Sequence, residues 1–314
     1  MALYALVSAG GSPGVTTSAL ALALGWPAQV ILAECDPSGG DILAGLFAGH
    51  LPATRGLLSL AVDAGRGADA AARAMWPQLI ELDDARQRLL LAGISDPRQG
   101  AGLAPAWPSL ASVFSSLPAD VIADCGRLDA GEGPLSVLSA AAVVVVVLRP
   151  SLRQVARARP RIDMLGQLLG GVQRVTLLVI GEGTHSPRDI AKALGVPVIA
   201  ALPDDRKTAR VLSDGAGSRR TLQARPLLRA ATVAGRALRD TVMAAAPDPA
   251  FAAPDAPIAT VATGIPFGIW TVDSSESIPF SAALCIGTPI TGSTVCAATT
   301  PARCAAPPAP AMIT

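Results

Sequence analysis

A glycine-rich loop near the start of the chain separates an apolar run from a helix-forming run. The apolar run, 3–7, predicts a buried strand, and the run 18–24 predicts a helix. A strand, a glycine-rich turn and a helix in this order are typical of a phosphate-binding loop, whose backbone N–H groups face an anion. The usual pattern ends in Gly-Lys-Ser/Thr, whereas this loop reads Gly14-Val15-Thr16. It therefore lacks the ammonium group that would reach the phosphates.

Two acidic residues follow predicted strands elsewhere in the chain. Asp36 comes after the apolar run 30–33, and Asp124 ends the run 120–123. Because the carboxyl ends of parallel strands meet at one edge of a sheet, we expect both carboxylates to lie beside the glycine-rich loop. There Thr16 and Asp124 are predicted to hold Mg²⁺, and Asp36 and Asp124 to act as catalytic carboxylates that orient water. Taken alone, Asp36 is more often a turn or cap residue, but the three elements in this order favour a site.

These segments resemble the motifs of the MinD/ParA family of deviant P-loop ATPases. That family carries Lys-Gly-Gly-x-Gly-Lys-Thr-Thr after its first strand, then Asp-x-Asp-Pro-x-Gly-Gly, then Asp-x-Pro-x-Gly. Gly10 stands where the first lysine would be and Val15 replaces the second, whereas both threonines match. The second motif matches well over 36–40 and the third in part over 124–126. The resemblance covers roughly residues 1–245, and the loop is similar to that of a divergent actinobacterial branch found with Tad/Flp-type pilus or secretion systems.

The resemblance implies an α/β fold, with a doubly wound, mostly parallel sheet and a P-loop-like first turn. It also implies a site for ATP or ADP with Mg²⁺, and the residues that would contact this nucleotide are Gly10, Gly11, Ser12, Pro13, Gly14, Val15, Thr16, Thr17, Pro203 and Asp204. Ordinary family members hydrolyse ATP as face-to-face dimers in which the first lysine crosses to the partner's nucleotide. The resemblance therefore predicts a homodimer with a protein partner, which positions or regulates an assembly in partitioning, septum placement, or a pilus or secretion system. Because both lysines are missing, we expect weak binding and weak or lost hydrolysis.

Two other functions remain open at this stage. A pseudo-ATPase would keep the same fold as a dimerising scaffold. A biosynthetic synthetase on the related fold needs a phosphoryl-transfer lysine, and Val15 argues against it. An arginine from elsewhere would restore the missing charge, and the nearest candidates at the same sheet edge are Arg127, Arg149 and Arg153.

Strand and helix patterns alternate along most of the chain, which favours a parallel sheet with helices on both faces. Strands are predicted at 3–8, 29–34, 88–93, 120–124, 142–148, 174–180 and 197–201. Helices are predicted at 16–24, 41–48, 56–63, 68–75, 106–116, 133–140, 151–169, 187–194, 205–213 and 226–245.

Composition and charge weigh against several partners. The formal net charge is +1, so neither a global basic field nor a specific motif indicates nucleic acid. The longest apolar run, 140–148, is too short to span a bilayer. Helix 226–245 has a mostly alanine apolar face, which favours packing on the sheet, so membrane contact is expected to be peripheral at most. Without a secretory pattern or a Cys-x-x-Cys pair, we expect a cytoplasmic, reduced setting.

The composition changes sharply after residue 246. We therefore expect a nucleotide-binding domain over 1–246 and a separate tail over 247–314, which is rich in Ala, Pro, Thr and Ser and has no convincing periodicity. The tail is predicted to be low-complexity and disordered, or to be an aberrant C-terminus from off-frame coding.

Overall fold

A computed structural model describes residues 1–10, 14–49, 55–128, 133–215 and 219–245. Its centre is an eight-stranded sheet with the strand order β3-β4-β2-β5-β1-β6-β7-β8. The strands are β1 (Leu3–Ser8), β2 (Val30–Glu34), β3 (Ile80–Glu81), β4 (Arg88–Leu91), β5 (Asp120–Arg127), β6 (Val143–Leu148), β7 (Val175–Ile180) and β8 (Val198–Leu202).

The sheet is parallel except at one edge, where β3 pairs antiparallel with β4. The first strand lies in the middle, between β5 and β6. The chain passes from β1 towards β2 on one side of it, and later from β5 to β6 on the other. The order of connection therefore reverses beside β1, and such a switch point leaves a crevice at the carboxyl ends of the strands. The predicted α/β, doubly wound and mostly parallel class is confirmed.

Helices cover both faces of the sheet. They are α1 (Val15–Leu24), α2 (Leu57–Ala64), α3 (Ala68–Ala74), α4 (Gly100–Leu103), α5 (Trp107–Ser116), α6 (Leu135–Ala140), α7 (Leu152–Leu169), α8 (Pro187–Leu194), α9 (Arg206–Asp214) and α10 (Pro226–Ala245). Side chains alternate along each strand, so β1 sends Ala5 and Val7 into one apolar cluster and Tyr4 and Leu6 into the other. The first cluster packs against α2 to α8, and the second against α1, α9 and α10.

Helix α10, the last one that the structure describes, packs on α1 and the sheet, as its alanine-rich face predicts. Leu228, Ala231 and Leu238 are buried in the second cluster. A Cβ added to Gly235 would lie 3.0 Å from Cε3 of Trp26, so this glycine lets the helix approach the indole closely. None of the helices described here combines the length and apolar character that crossing a bilayer requires.

A buried carboxylate joins four parts of the fold at the amino ends of the central strands. Asp120 begins β5, and its Oδ2 accepts hydrogen bonds from the indole Nε1 of Trp26, at 2.9 Å, and from Nε of Arg239 on α10, at 2.8 Å. Its Oδ1 accepts from the backbone N of Ala2 at 2.9 Å. Asp120 therefore connects α10 and the start of β1 to the start of β5. These contacts lie at the amino ends of the strands, opposite the crevice.

Two local predictions were wrong, and one strand was missed. Residues 41–48 form successive turns rather than a helix, because Gly45 packs so closely on the backbone carbonyl of Ser213 that a side chain there would overlap it. The strand predicted at 88–93 ends at Leu91, because the next carbonyl accepts from the backbone N of Leu57 at 2.7 Å instead of continuing the ladder. The two-residue strand β3 was not predicted.

Candidate functional site

Four segments meet in the crevice beside β1. They are the end of β1, the start of α1, the turn after β2 and the end of β5. Together they enclose a pocket of about 230 Å³, which is lined by Ser8, Gly14, Val15, Thr16, Thr17, Asp36, Ser38, Asp41, Gly126 and Arg127. The structure thus brings five of the predicted site residues to one pocket, namely Gly14 to Thr17 and Asp36. Gly11, Ser12 and Pro13, which are also predicted site residues, lie outside the described residues.

The glycines at the two ends of this loop adopt backbone angles that other residues avoid. Gly10 has φ +144° and Gly14 has φ +103°. Gly14 precedes α1, and its carbonyl accepts from the backbone N of Ser18 at 2.9 Å. No side chain in the described part of the chain caps the first turn of α1, and no acidic residue lies in that turn. Its N–H groups and the positive end of the helix dipole therefore face the pocket.

Asp124 lies beneath the loop and is 1% exposed. Its carboxylate forms a hydrogen bond with the Thr16 hydroxyl and accepts from the backbone N of Gly126 at 3.1 Å. Burial raises the pKa of Asp124 to about 7, with a smaller contribution from the nearby charges of Glu34 and Asp36, while the two hydrogen bonds act against the shift. A carboxyl group with this pKa is protonated in part near neutral pH, so a proton would compete there with any bound cation.

Asp36 occupies the pocket wall above Gly126. Its Oδ1 accepts from the backbone N of Ser38 at 2.8 Å, so the residue also forms the turn that its sequence position suggests. A Cβ added to Gly126 would overlap the Asp36 carboxylate, and Gly126 has φ +62°. Glycine at 126 therefore allows the carboxylate to lie across the end of β5.

Glu34 supports the site without lining it. It is 2% exposed, and its two carboxylate oxygens accept from the backbone N of Ile42 and of Gly93, each at 3.0 Å. Burial raises its pKa, and the backbone hydrogen bonds oppose that effect. Glu34 thus ties the turn after β2 to the segment after β4. The residue matches the first acidic position of the second motif, but only the fold shows that it anchors two loops.

The arginines proposed as substitute cations fall into different environments. Arg127 lines the pocket. Arg149 forms a salt bridge with Asp204, and its Nη1 lies 3.1 Å from Oδ2. Arg153 is exposed on α7. The structure therefore favours Arg127 among the three.

Pro203 and Asp204, the later predicted site residues, are not part of the described pocket lining. Hydrogen bonding and charge from Arg149 hold the pKa of Asp204 below its usual range, and Arg206 adds a weaker contribution. Contact of these two residues with a nucleotide stays a prediction. Conversely, Ser8, Ser38, Asp41 and Gly126 line the pocket and were not predicted, although each lies within a few residues of a recognised motif.

The donor groups fit Mg²⁺ that is bound together with phosphate. Mg²⁺ prefers oxygen ligands and commonly uses one or two protein groups beside phosphate oxygens and water. Thr16 and Asp124 offer a hydroxyl and a carboxylate side by side. Within the described residues, no group of three or more His, Cys, Asp or Glu side chains is arranged to hold a metal ion. Cys35 and Cys125, close to the site, are free and buried.

Comparison with known proteins identifies the fold. No protein-family profile matches the sequence, and no curated protein sequence does. Solved structures match over almost their whole length. The septum site-determining protein MinD complexed with Mg-ADP, from Pyrococcus horikoshii OT3, has a TM-score of 0.60 at 16% identity, covering 78% of this chain and 98% of its own.

Two further structures give the same result. A ParA family ATPase from Chlorobium tepidum TLS has a TM-score of 0.55 at 16% identity, over 76% of this chain and 98% of its own. A chain of the MinC:MinD cell division protein complex from Aquifex aeolicus has a TM-score of 0.57 at 18% identity. The match covers 76% of this chain and 96% of that one. The chain therefore has the P-loop NTPase fold of the MinD and ParA ATPases.

Proposed function

We propose that this chain is a MinD/ParA-like nucleotide-binding protein that positions or regulates a cellular assembly, and that it binds Mg-ATP or Mg-ADP weakly with negligible hydrolysis. The observation that carries the proposal is the hydrogen bond between Thr16 and Asp124 beneath a pocket at the N-terminus of α1. A hydroxyl and a carboxylate beside the uncapped N–H groups of the first turn of α1 would suit a Mg-phosphate group.

Binding of nucleotide needs fewer groups than its hydrolysis. The N–H groups of α1 and its dipole attract phosphate whatever the side chain at position 15. Thr16 and Asp124 would hold Mg²⁺, which when bound would neutralise part of the phosphate charge. The similar MinD structure from Pyrococcus horikoshii is a complex with Mg-ADP, which supports this choice of ligand.

Hydrolysis is expected to be far slower because of Val15. Phosphoryl transfer depends on positioning and on neutralising charge at the γ-phosphate, and one such cation contributes about 10³–10⁵ in rate for an arginine finger. Val15 is 7% exposed and packs into the second apolar cluster, so it brings no charge to the phosphates. Asp36 and Asp124 remain the proposed catalytic carboxylates.

We further propose a homodimer that depends weakly on ATP, together with a protein partner in a partitioning, septum, pilus or secretion system. The MinC:MinD complex is one structure of this fold with a protein partner. The loop resemblance to Tad/Flp-associated proteins supports the pilus or secretion setting, in a cytoplasmic location. The burial of Val15 also favours the second candidate, a pseudo-ATPase scaffold that dimerises without turnover.

Calorimetric titration of the full chain with ATP and ADP, with Mg²⁺ and with EDTA, tests the proposal. We expect weak binding that requires Mg²⁺. Thr16→Ala should abolish it by removing a metal ligand, whereas Thr241→Ala, which removes an exposed hydroxyl on α10, should leave it unchanged. Val15→Lys should tighten it. Absence of Mg-dependent binding in the wild-type protein would refute nucleotide binding.

Phosphate release under saturating Mg-ATP tests the second half of the proposal. We expect barely detectable turnover. Turnover at the rate of an ordinary family member would show that another cation replaces the lysine, and it would also exclude the scaffold. Sedimentation with and without ATP then distinguishes a permanent dimer from a nucleotide-switched one.

A further inference from the structure

A second arginine, which no sequence pattern singled out, lies against Gly10 just after the end of β1. A Cβ added to Gly10 would lie 3.5 Å from Cδ of Arg157 and 3.7 Å from its Nη1. Arg157 belongs to α7, which follows β6, and β6 pairs with β1 up to the register Ser8 to Val147. The Arg157 side chain therefore lies in van der Waals contact with the position that a side chain at residue 10 would occupy.

Among the described residues the guanidinium of Arg157 has no ion-pair partner, unlike that of Arg149. Arg149 pairs with Asp204, and Arg159 donates to the backbone carbonyls of Ala193 and Leu194 at the end of α8. Arg157 is exposed, and no acidic side chain in the described ranges forms an ion pair with it. An arginine that lies beside Gly10 and has no acidic partner in the described ranges is available to bind an anion there.

The described pocket lining has more acidic than basic side chains, so an additional cation would favour binding of an anion. Asp36 and Asp41 line the pocket, and Arg127 is the one basic side chain in its described lining. Asp124 adds a third carboxyl group beneath. A nucleoside triphosphate would bring further negative charge beside these acids, and Mg²⁺ with Arg127 would offset only part of it.

We propose that Arg157 is a phosphate-binding residue of this site, and that its guanidinium contacts the terminal phosphate of a nucleoside triphosphate bound between Gly10 and the N-terminus of α1. The assignment rests on the proposed function and deepens it. A contact to the terminal phosphate makes Arg157 a specificity determinant, because a diphosphate lacks the group that it would bind.

Calorimetric titration of the full chain with Mg-ATP and Mg-ADP tests the assignment. Arg157→Ala should weaken Mg-ATP binding by about tenfold or more and Mg-ADP binding by much less, as expected when one charged hydrogen bond is lost. Arg157→Lys keeps the positive charge but loses the bidentate guanidinium geometry. Its Mg-ATP affinity should therefore lie between those of Arg157→Ala and the wild-type protein. Arg153→Ala is the matched control, because it removes the same charge from an exposed position one turn away on α7.

The possible results separate the two proposals. If the wild-type protein binds neither nucleotide, both the proposed function and this assignment fail. If it binds, but Arg157→Ala leaves the ratio of ATP to ADP affinity unchanged, only the role of Arg157 fails. An equal loss in Arg153→Ala also overturns it, since the effect would then be general electrostatics. Thermal melts confirm that each variant is folded, and Arg157→Gln replaces the alanine variant in the same titrations if that one is not.

Discussion

Replacing Asp124 by Asn should make the protein more stable at neutral and alkaline pH while removing Mg-dependent nucleotide binding. The pKa of Asp124 is about 7 in the fold, against 3.8 for the free group. Between these values the folded chain holds a proton that the unfolded chain has released. The free energy of unfolding therefore falls as pH rises, by about 1.4 kcal/mol for each pH unit.

Across this window the wild-type carboxyl group lowers stability by about 4 kcal/mol if its whole shift is expressed. Asn has no proton to exchange, and its amide oxygen still accepts from the backbone N of Gly126. We expect urea unfolding at pH 5, 6, 7 and 8 to show Asp124→Asn growing more stable relative to wild type, by about 2–4 kcal/mol at pH 8. Glu34, whose pKa is also raised, remains in both proteins and leaves a residual slope.

Asp120→Asn provides a control on the same strand. Asp120 is equally buried, but it is paired with Arg239, so its neutral variant should lose about 2 kcal/mol or more because a partly buried cation is left unpaired. Asp124 is intact in this variant, so the part of the pH dependence that comes from Asp124 should remain. The reasoning is refuted if Asp124→Asn and the wild-type protein show the same dependence on pH. Mg-ATP affinity should rise from pH 6 to pH 8 in wild type and be absent in Asp124→Asn.

Three further predictions concern packing and organisation. Gly126→Ala should cost about 1–3 kcal/mol in urea unfolding and weaken Mg-nucleotide binding, because Cβ would overlap the Asp36 carboxylate at a positive φ; unchanged stability would contradict this. Gly25→Ala should cost about 1–3 kcal/mol by the same assay, since Cβ would come within 2.6 Å of Oγ1 of Thr232 and separate α1 from α10. Full-length protein and fragment 1–246 should melt within about 10 °C of each other; a larger drop in the fragment would show that the tail belongs to the fold.

The sequence allowed prediction of those site residues whose position follows from the strand or turn in their own segment. Asp36 and Asp124 each end an apolar run, and Thr16 follows a glycine turn, so a parallel sheet necessarily brings them to one edge. Contacts between distant segments were not predictable in this way. The position of Arg157 over Gly10 depends on how α7 is rotated against β6, and no local pattern encodes that angle.

Errors in secondary structure have similar causes. The helix predicted at 41–48 has the right composition, but close backbone packing against Ser213 and the hydrogen bond from Ile42 to Glu34 decide its path. Strand β3 contains two residues, which is too short for an alternating pattern to emerge. In both segments tertiary contacts outweigh intrinsic propensity.

The carboxylate at the start of β5 has a consequence for synthesis of the chain on the ribosome. Asp120 bonds to a backbone group 118 residues earlier, so β1 leaves the ribosome about 6–24 s before its partner strand exists, at roughly 5–20 residues per second. The pairing guanidinium of Arg239 is made later still, after the whole sheet. Until α10 emerges, the nascent chain therefore carries an unpaired Asp120 carboxylate and an uncovered apolar face of the sheet. Of the described helices, α10 is the one that completes the core.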